Sequence, residues 1–216
     1  MKVKITVPTD LNEITLGQYQ KFLKIKDKND DPYFIQCKLI EIFCNVDALA
    51  VRNMKLSDAD KIGNLLNKMF QKKASLINTF KLNGVEYGFI PDLNNISFGE
   101  YIDLDTNISD WENMHIAMNV LYRPILQRQN NKYRIEKYKT ETKDNLINMP
   151  LSVVMGSVFF LFHLGRDLSQ IMMNYLDNNQ KEDLTAYLTS QENGVGINQF
   201  TLSLKEMLQD LKISQN

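Results

Sequence analysis

The sequence predicts an α+β protein that is mainly helical, and three observations carry that expectation. Apolar residues recur at helical spacing behind capping residues in several stretches. Asn83-Gly84 stands between two β-type runs, and both central residues of such a hairpin turn take positive φ, which Asn and Gly adopt most readily. Pro150 opens the apolar stretch LSVVMGSVFFLFHL at 151–164, which reads as a core helix. The 216 residues fit one large domain or two small ones. The expected division is a first unit over 1–75, a second unit with the core helix over 76–178, and a helical extension over 179–216, within two domains or one.

The elements follow in order. Val3, Ile5 and Val7 alternate with polar residues and stop at Pro8, which predicts a short strand. Thr15-Leu-Gly-Gln18 has capping-box spacing and predicts a helix from Leu16 to about Lys26. Asp31-Pro32 is an N-cap and first-turn pair, ahead of Phe34, Cys37, Leu39, Ile40, Phe43 and Cys44 on a helical face. Ser57-Asp-Ala-Asp60 is expected to cap a helix carrying Ile62, Leu65, Leu66, Met69 and Phe70. Ile77–Leu82 and Val85–Ile90 form the hairpin strands, the second ended by Pro91. Ser97-Phe-Gly-Glu100 is a second capping box, and Asp110 is expected to cap a helix through Trp111–Tyr122, stopped by Pro124. Residues 126–148 are polar and mixed, with a short strand at Tyr133–Tyr138. The Pro150 helix should reach about Leu176, with helices near 180–190 and 201–212 around a turn at Asn193–Gly196.

Composition narrows the function. Hydrophobic residues at 44% and charged residues at 24% exclude wholesale disorder. A net charge of -1 excludes a global nucleic-acid-coating charge but leaves a local patch open. The stretch 151–164 is fourteen residues long, against about 20 for a membrane span. The opening MKVKITVP lacks the apolar core of a signal peptide, so a soluble protein made in the cytoplasm is expected. Cys37 and Cys44, two helical turns apart on one face, read as reduced core thiols.

An internal repeat carries most of the functional reading. Residues 7–19, VPTDLNEITLGQY, match residues 90–101, IPDLNNISFGEY, with one deletion. Proline ends a strand, Asp and Asn favour the turn, and Thr15 or Ser97 caps a helix answered by Gln18 or Glu100. The glycine at the second helical position would let another backbone approach. A device used twice points to a scaffold or surface, since catalytic sites are single constellations. A duplicated unit of about 80 residues is the preferred reading over local convergence.

Charge is arranged in blocks. Between Leu82 and Tyr122 there are seven acidic residues and no Lys or Arg; between Arg123 and Lys143 there are seven basic residues against Glu136 and Glu141. The basic patch is Arg128, Lys132, Arg134, Lys137 and Lys139. Three readings stand: mutual neutralisation or solvated faces, a docking surface for a charged partner or second copy, and nucleic-acid contact. Glu100, Asp103 and Asp105 form the one tempting carboxylate cluster, yet acidic residues near a helix N-terminus are favoured by the dipole alone. His163 reads as a core or partly buried histidine, and no Walker loop, dinucleotide fingerprint or nucleophile elbow is present. No enzymatic activity, metal or cofactor is expected.

Residues 86–125 contain Gly88-Phe-Ile-Pro-Asp-Leu93, then GEYIDLD, a Trp-containing stretch and Ala117-Met-x-Val-Leu-Tyr-Arg-Pro124. A tyrosine-containing connector, Tyr133 to Tyr138, precedes Met149-Pro-Leu151 and an apolar helix with Phe159-Phe160 and Leu164-Gly165. This pattern, over roughly 80–176, resembles uncharacterised structural-region proteins of tailed bacteriophages; it departs in having Asn119 where a small apolar residue is expected. The resemblance implies a tail assembly chaperone that binds the tape-measure protein, in the host cytoplasm, and carries over no catalytic residue. The expected partner contacts are exposed aromatics and methionines beside the acidic block, Tyr101, Trp111, Met114 and Tyr122, with Arg123 fixing the corner or pairing with a carboxylate. A neck or ring component of the virion is the alternative; a nucleic-acid-binding module using 123–143 is the third. Phage structural proteins are the expected partners, with self-association open and no membrane.

Overall fold

The computed structural model of the chain describes residues 5–130, 132–139 and 146–178, with side chains as far as residue 167. It is α+β and mainly helical, with a four-stranded antiparallel sheet. The expected helices near 180–190 and 201–212 and the glycine turn between them lie outside the described residues.

Residues 5–7 form no strand, and Val3 lies outside the described residues. Alternation alone cannot make a strand without a neighbour to complete its ladder. A single 3-10 turn, Leu11–Glu13, follows, with the Asp10 carboxylate accepting from the Asn12 N–H at 2.9 Å. Helix α1 is Leu16–Lys26, and the Thr15 capping box closes as expected. The Gln18 N–H donates to Thr15 Oγ1 at 3.2 Å, and the Thr15 N–H donates to Gln18 Oε1 at 2.9 Å. Helix α2 is Pro32–Phe43 behind the Asp31 cap. A short helix α3, Ala48–Arg52, was not signalled. Helix α4, Leu56–Phe70, starts two residues earlier than a Ser57 cap would place it, so Ser57 lies inside its first turn and no side chain caps it.

Strands β1, Thr79–Leu82, and β2, Val85–Phe89, form the expected hairpin, with φ of 50° at Asn83 and 81° at Gly84. A second 3-10 turn, Leu93–Asn95, leads through the Ser97 capping box into helix α5, Phe98–Ile108. The next expectation needs correction. Asp110 caps a turn, accepting from the Glu112 N–H at 2.9 Å and Asn113 Nδ2 at 2.6 Å. Helix α6 is only Met114–Leu121. Tyr122 begins strand β3, Tyr122–Gln129, and Pro124 sits within it opposite Tyr87. The ladder tolerates this proline because its carbonyl still accepts from the Glu136 N–H at 2.9 Å and the register shifts between Ile125 and Gln127. Strand β4 is Lys132–Ile135, and the sheet order is β1-β2-β3-β4.

Helix α7, Leu151–Asn178, follows a 3-10 turn at Leu146–Asn148. Its residues from Leu151 to Val158 are all buried, whereas His163 is exposed, against the core position expected of it. Among the described residues no helix is long and apolar enough to cross a membrane. Gly156 is required by contact: a Cβ there would lie 2.2 Å from the Ser75 carbonyl oxygen. One core cluster joins α1, α2, α4, the sheet, α6 and the start of α7. At its centre the Tyr122 hydroxyl donates to the Ile77 carbonyl at 2.7 Å and lies 2.9 Å from Ser157 Oγ.

Candidate functional site

The sequence-predicted contact residues do not form one exposed face. Met114 is 0% exposed and Tyr122 1% exposed, so both are core residues and not a partner surface. Met114 opens the buried side of α6, and Tyr122 enters the sheet with Phe80 and Phe89 edge-on to its ring at 5.4 and 5.3 Å. Trp111 is half-buried with its ring 4.9 Å from Tyr19, edge to face. Its carbonyl accepts from Gln20 Nε2 at 2.7 Å, tying the turn before α6 to α1. Tyr101 is half-buried on α5, where burial and then the Asp105 carboxylate push its hydroxyl above the usual tyrosine range.

Arg123 belongs to a polar network instead of an open contact. Its guanidinium reaches Glu100 at 2.8 Å and lies 5.9 Å over the Tyr138 ring, whose hydroxyl donates to Asp103 Oδ2 at 2.5 Å. Burial works to raise the Glu100 carboxyl, but the Ser97 hydrogen bonds and Arg123 outweigh it and hold the carboxyl below its ordinary value. Burial, reinforced by Asp103, holds the Tyr138 hydroxyl well above the tyrosine range. Two of the three carboxylates of the cluster thus have partners: Glu100 holds Arg123, and Asp103 holds Tyr138, whereas Asp105 is exposed. Among the described residues no group of three or more His, Cys, Asp or Glu is placed to hold a metal ion.

The charge blocks meet at two points. Arg128 pairs with Glu86 at 2.7 Å and lies 5.9 Å over the Tyr133 ring, and Arg123 pairs with Glu100. Lys139 pairs with Glu136 at 2.7 Å, within its own block. Lys132, Arg134 and Lys137 are exposed and make no ion pair among the described residues. Lys143 lies outside them. Cys44 is buried, and desolvation pushes its thiol up to about 11; Cys37 is half-buried, and neither is in a disulfide.

A groove of 560 Å³ opens between α1, α2 and α4 and was not anticipated. Tyr19, Phe22 and Leu39 form its buried floor, and Leu23, Ile35 and Phe70 its half-exposed walls. Its rim is polar, and Gln36 Nε2 donates across it to Asp60 Oδ1 at 3.1 Å. The signal lay in α4, where Gly63, Asn64 and Asn67 stand among the apolar positions. A glycine and two amides cannot fill the space that larger apolar side chains would close.

Both capping-box junctions close alike, and their surroundings differ. Leu16 is fully buried, and its N–H donates to the Met149 carbonyl at 2.9 Å. Phe98, at the matching position, is 79% exposed. Comparison with known proteins finds nothing similar: no family model, no curated protein and no solved structure matches the chain.

Proposed function

We propose that this chain is a non-enzymatic assembly factor of a tailed bacteriophage, one that holds a helical segment of a tail structural protein such as the tape measure. The groove between α1, α2 and α4 carries the reading. Its apolar floor and polar rim suit the apolar stripe of an amphipathic helix, the helix-in-groove mode of recognition. The phage assignment comes from the pattern of residues 86–125 and the Met149-Pro-Leu151 segment that follows it. The two capping-box junctions are read as copies of one unit, serving as scaffold. Tyr101 and Trp111 are half-buried and do not line the groove.

Two measurements test this. Peptides tiling the apolar heptads of the phage's tape-measure protein, titrated by calorimetry against the full chain, should include one that binds. Ile35→Arg should weaken that binding at least tenfold while circular dichroism stays unchanged. Uniform failure of the tiled peptides removes the groove reading. Mass spectrometry of finished particles should find the chain absent. Its presence at a fixed multiple per particle would replace this reading with that of a neck or ring component.

A further inference from the structure

The two junctions share a sequence pattern and a capping-box geometry, and among the described residues only the first is covered. There, residues 146–151 lie across the start of α1. The Leu16 N–H donates to the Met149 carbonyl at 2.9 Å, the Leu151 N–H donates to the Ile14 carbonyl at 2.8 Å, and Thr15 bridges antiparallel to Pro150. Gly17 makes room for this segment: a Cβ there would stand 3.0 Å from Ile147 Cγ1 and 3.2 Å from the Ile147 carbonyl oxygen. Leu16 and Ile14 are fully buried beneath it.

At the second junction Phe98 and Gly99 are exposed and Ile96 is half-buried. The capping box is intact, with the Ser97 N–H donating to Glu100 Oε2 at 2.6 Å, so the backbone is held in the same form. Among the described residues, neither the Phe98 N–H nor the Ile96 carbonyl makes a backbone hydrogen bond across the junction like those of Leu16 and Ile14. A Cβ on Gly99 would meet nothing within 4 Å. Phe98 is 79% exposed and Ile102, one turn on, 44% exposed. Phe98 and Ile102, four residues apart, thus make an exposed apolar pair on one face of α5 beside an open glycine and the Phe98 N–H.

We infer that the second junction is a docking site for an extended apolar-Pro-apolar segment of a partner polypeptide, with the chemistry that residues 146–151 show at the first. The Phe98 N–H and the Ile96 carbonyl would take the two backbone bonds that Leu16 and Ile14 make there. Gly99 would admit the incoming backbone as Gly17 does. The occupant is a segment of another polypeptide: this chain's own apolar-Pro-apolar segment, Leu146–Leu151, is already engaged on α1. The site is separate from the groove and does not depend on it.

The test uses the full chain, labelled with nitrogen-15, and a capped peptide of sequence LINMPLS, residues 146–152. The amide signals of Ile96 to Ile102 should shift with peptide concentration, those of Leu16 and Gly17 should not. Gly99→Val, which has open space for its side chain, should fold normally and weaken binding at least tenfold. Ile35→Arg in the groove should leave it unchanged. Three results overturn the inference: no shift at millimolar peptide, shifts centred on Gly17, or shifts at 96–102 produced by raising the protein concentration alone, which would make a second copy the occupant.

Discussion

Glu100 does two jobs, and one substitution separates them. It closes the Ser97 capping box and pairs with the largely buried guanidinium of Arg123 at 2.8 Å. Glu100→Gln keeps a group able to close the box, as Gln18 does for Thr15, and removes the ion pair. The result is an uncompensated guanidinium whose Nε already lacks a partner. Breaking a buried pair from one side costs roughly 3–5 kcal/mol, and the partial exposure here favours the lower end. The pH dependence follows from the direction of the shift. A carboxyl lowered in the folded state adds stability above its unfolded value, near about 4.3, and loses it as pH falls through the folded value. Urea titrations of wild type and Glu100→Gln should therefore differ most near neutral pH and converge in acid. A difference constant with pH would mean that the Ser97 hydrogen bonds and Arg123 together do not favour the ionised Glu100. The matched glycines give a second residue-scale contrast. Gly17→Ala should destabilise by about 1–3 kcal/mol, since a Cβ 3.2 Å from the Ile147 carbonyl oxygen requires that backbone to shift by a few tenths of an ångström. Gly99→Ala should be neutral or gain up to roughly 1 kcal/mol, because alanine favours helix and nothing is in its way. Thermal melts of the two variants check both signs.

At the scale of elements, what the sequence made legible was local. The capping boxes at Thr15 and Ser97, the Asp31-Pro32 start and the Asn83-Gly84 turn are decided by residues within four positions of each other, and all stand where expected. What it hid was tertiary. Strand β3 carries Pro124, which reads as a stop until β2 and β4 are known to flank it. Tyr122 looks like the last turn of an amphipathic helix until the sheet claims it. The groove depends on α1, α2 and α4 together, so no single periodicity shows it. The hairpin gives the prediction at this scale. Gly84 has φ of 81° in open space, so Gly84→Val strains the backbone without a clash. A loss of about 1–2 kcal/mol is expected, in the range of strain at a special φ. Hydrogen exchange should rise first in β1, the edge strand held only by β2. Equal protection in β1 before and after the change would show that the turn does not hold the hairpin.

For the molecule as a whole, the decisive feature is how its charge is spent. The sequence separates an acidic block from a basic one, and the fold brings them together at Glu86–Arg128 and Glu100–Arg123. Arg128, the cation that opens the predicted basic patch, is thereby committed to the sheet's own carboxylate. Lys132, Arg134 and Lys137 are left as the exposed cations of that patch without an ion pair among the described residues. A nucleic-acid surface draws its affinity from the counterions it releases, about 0.9 in log-log slope for each phosphate neutralised. Phosphate contacts by Lys132, Arg134 and Lys137, the described cations of the patch without an ion pair, would give a slope of about −3. Exposed acidic residues at Asp92, Asp105 and Asp110 add repulsion. Filter binding of a labelled duplex should therefore be weak at low salt and absent near 150 mM. Reversing Lys132 and Arg134 to Glu should abolish the low-salt remnant, while Arg128→Glu should act mainly on stability, by setting two carboxylates against each other. A slope much steeper than −3 would return the basic segment to the centre of the protein's function. A shallow slope would favour the proposed sites, the groove and the second junction, over the basic segment as partner-binding surfaces.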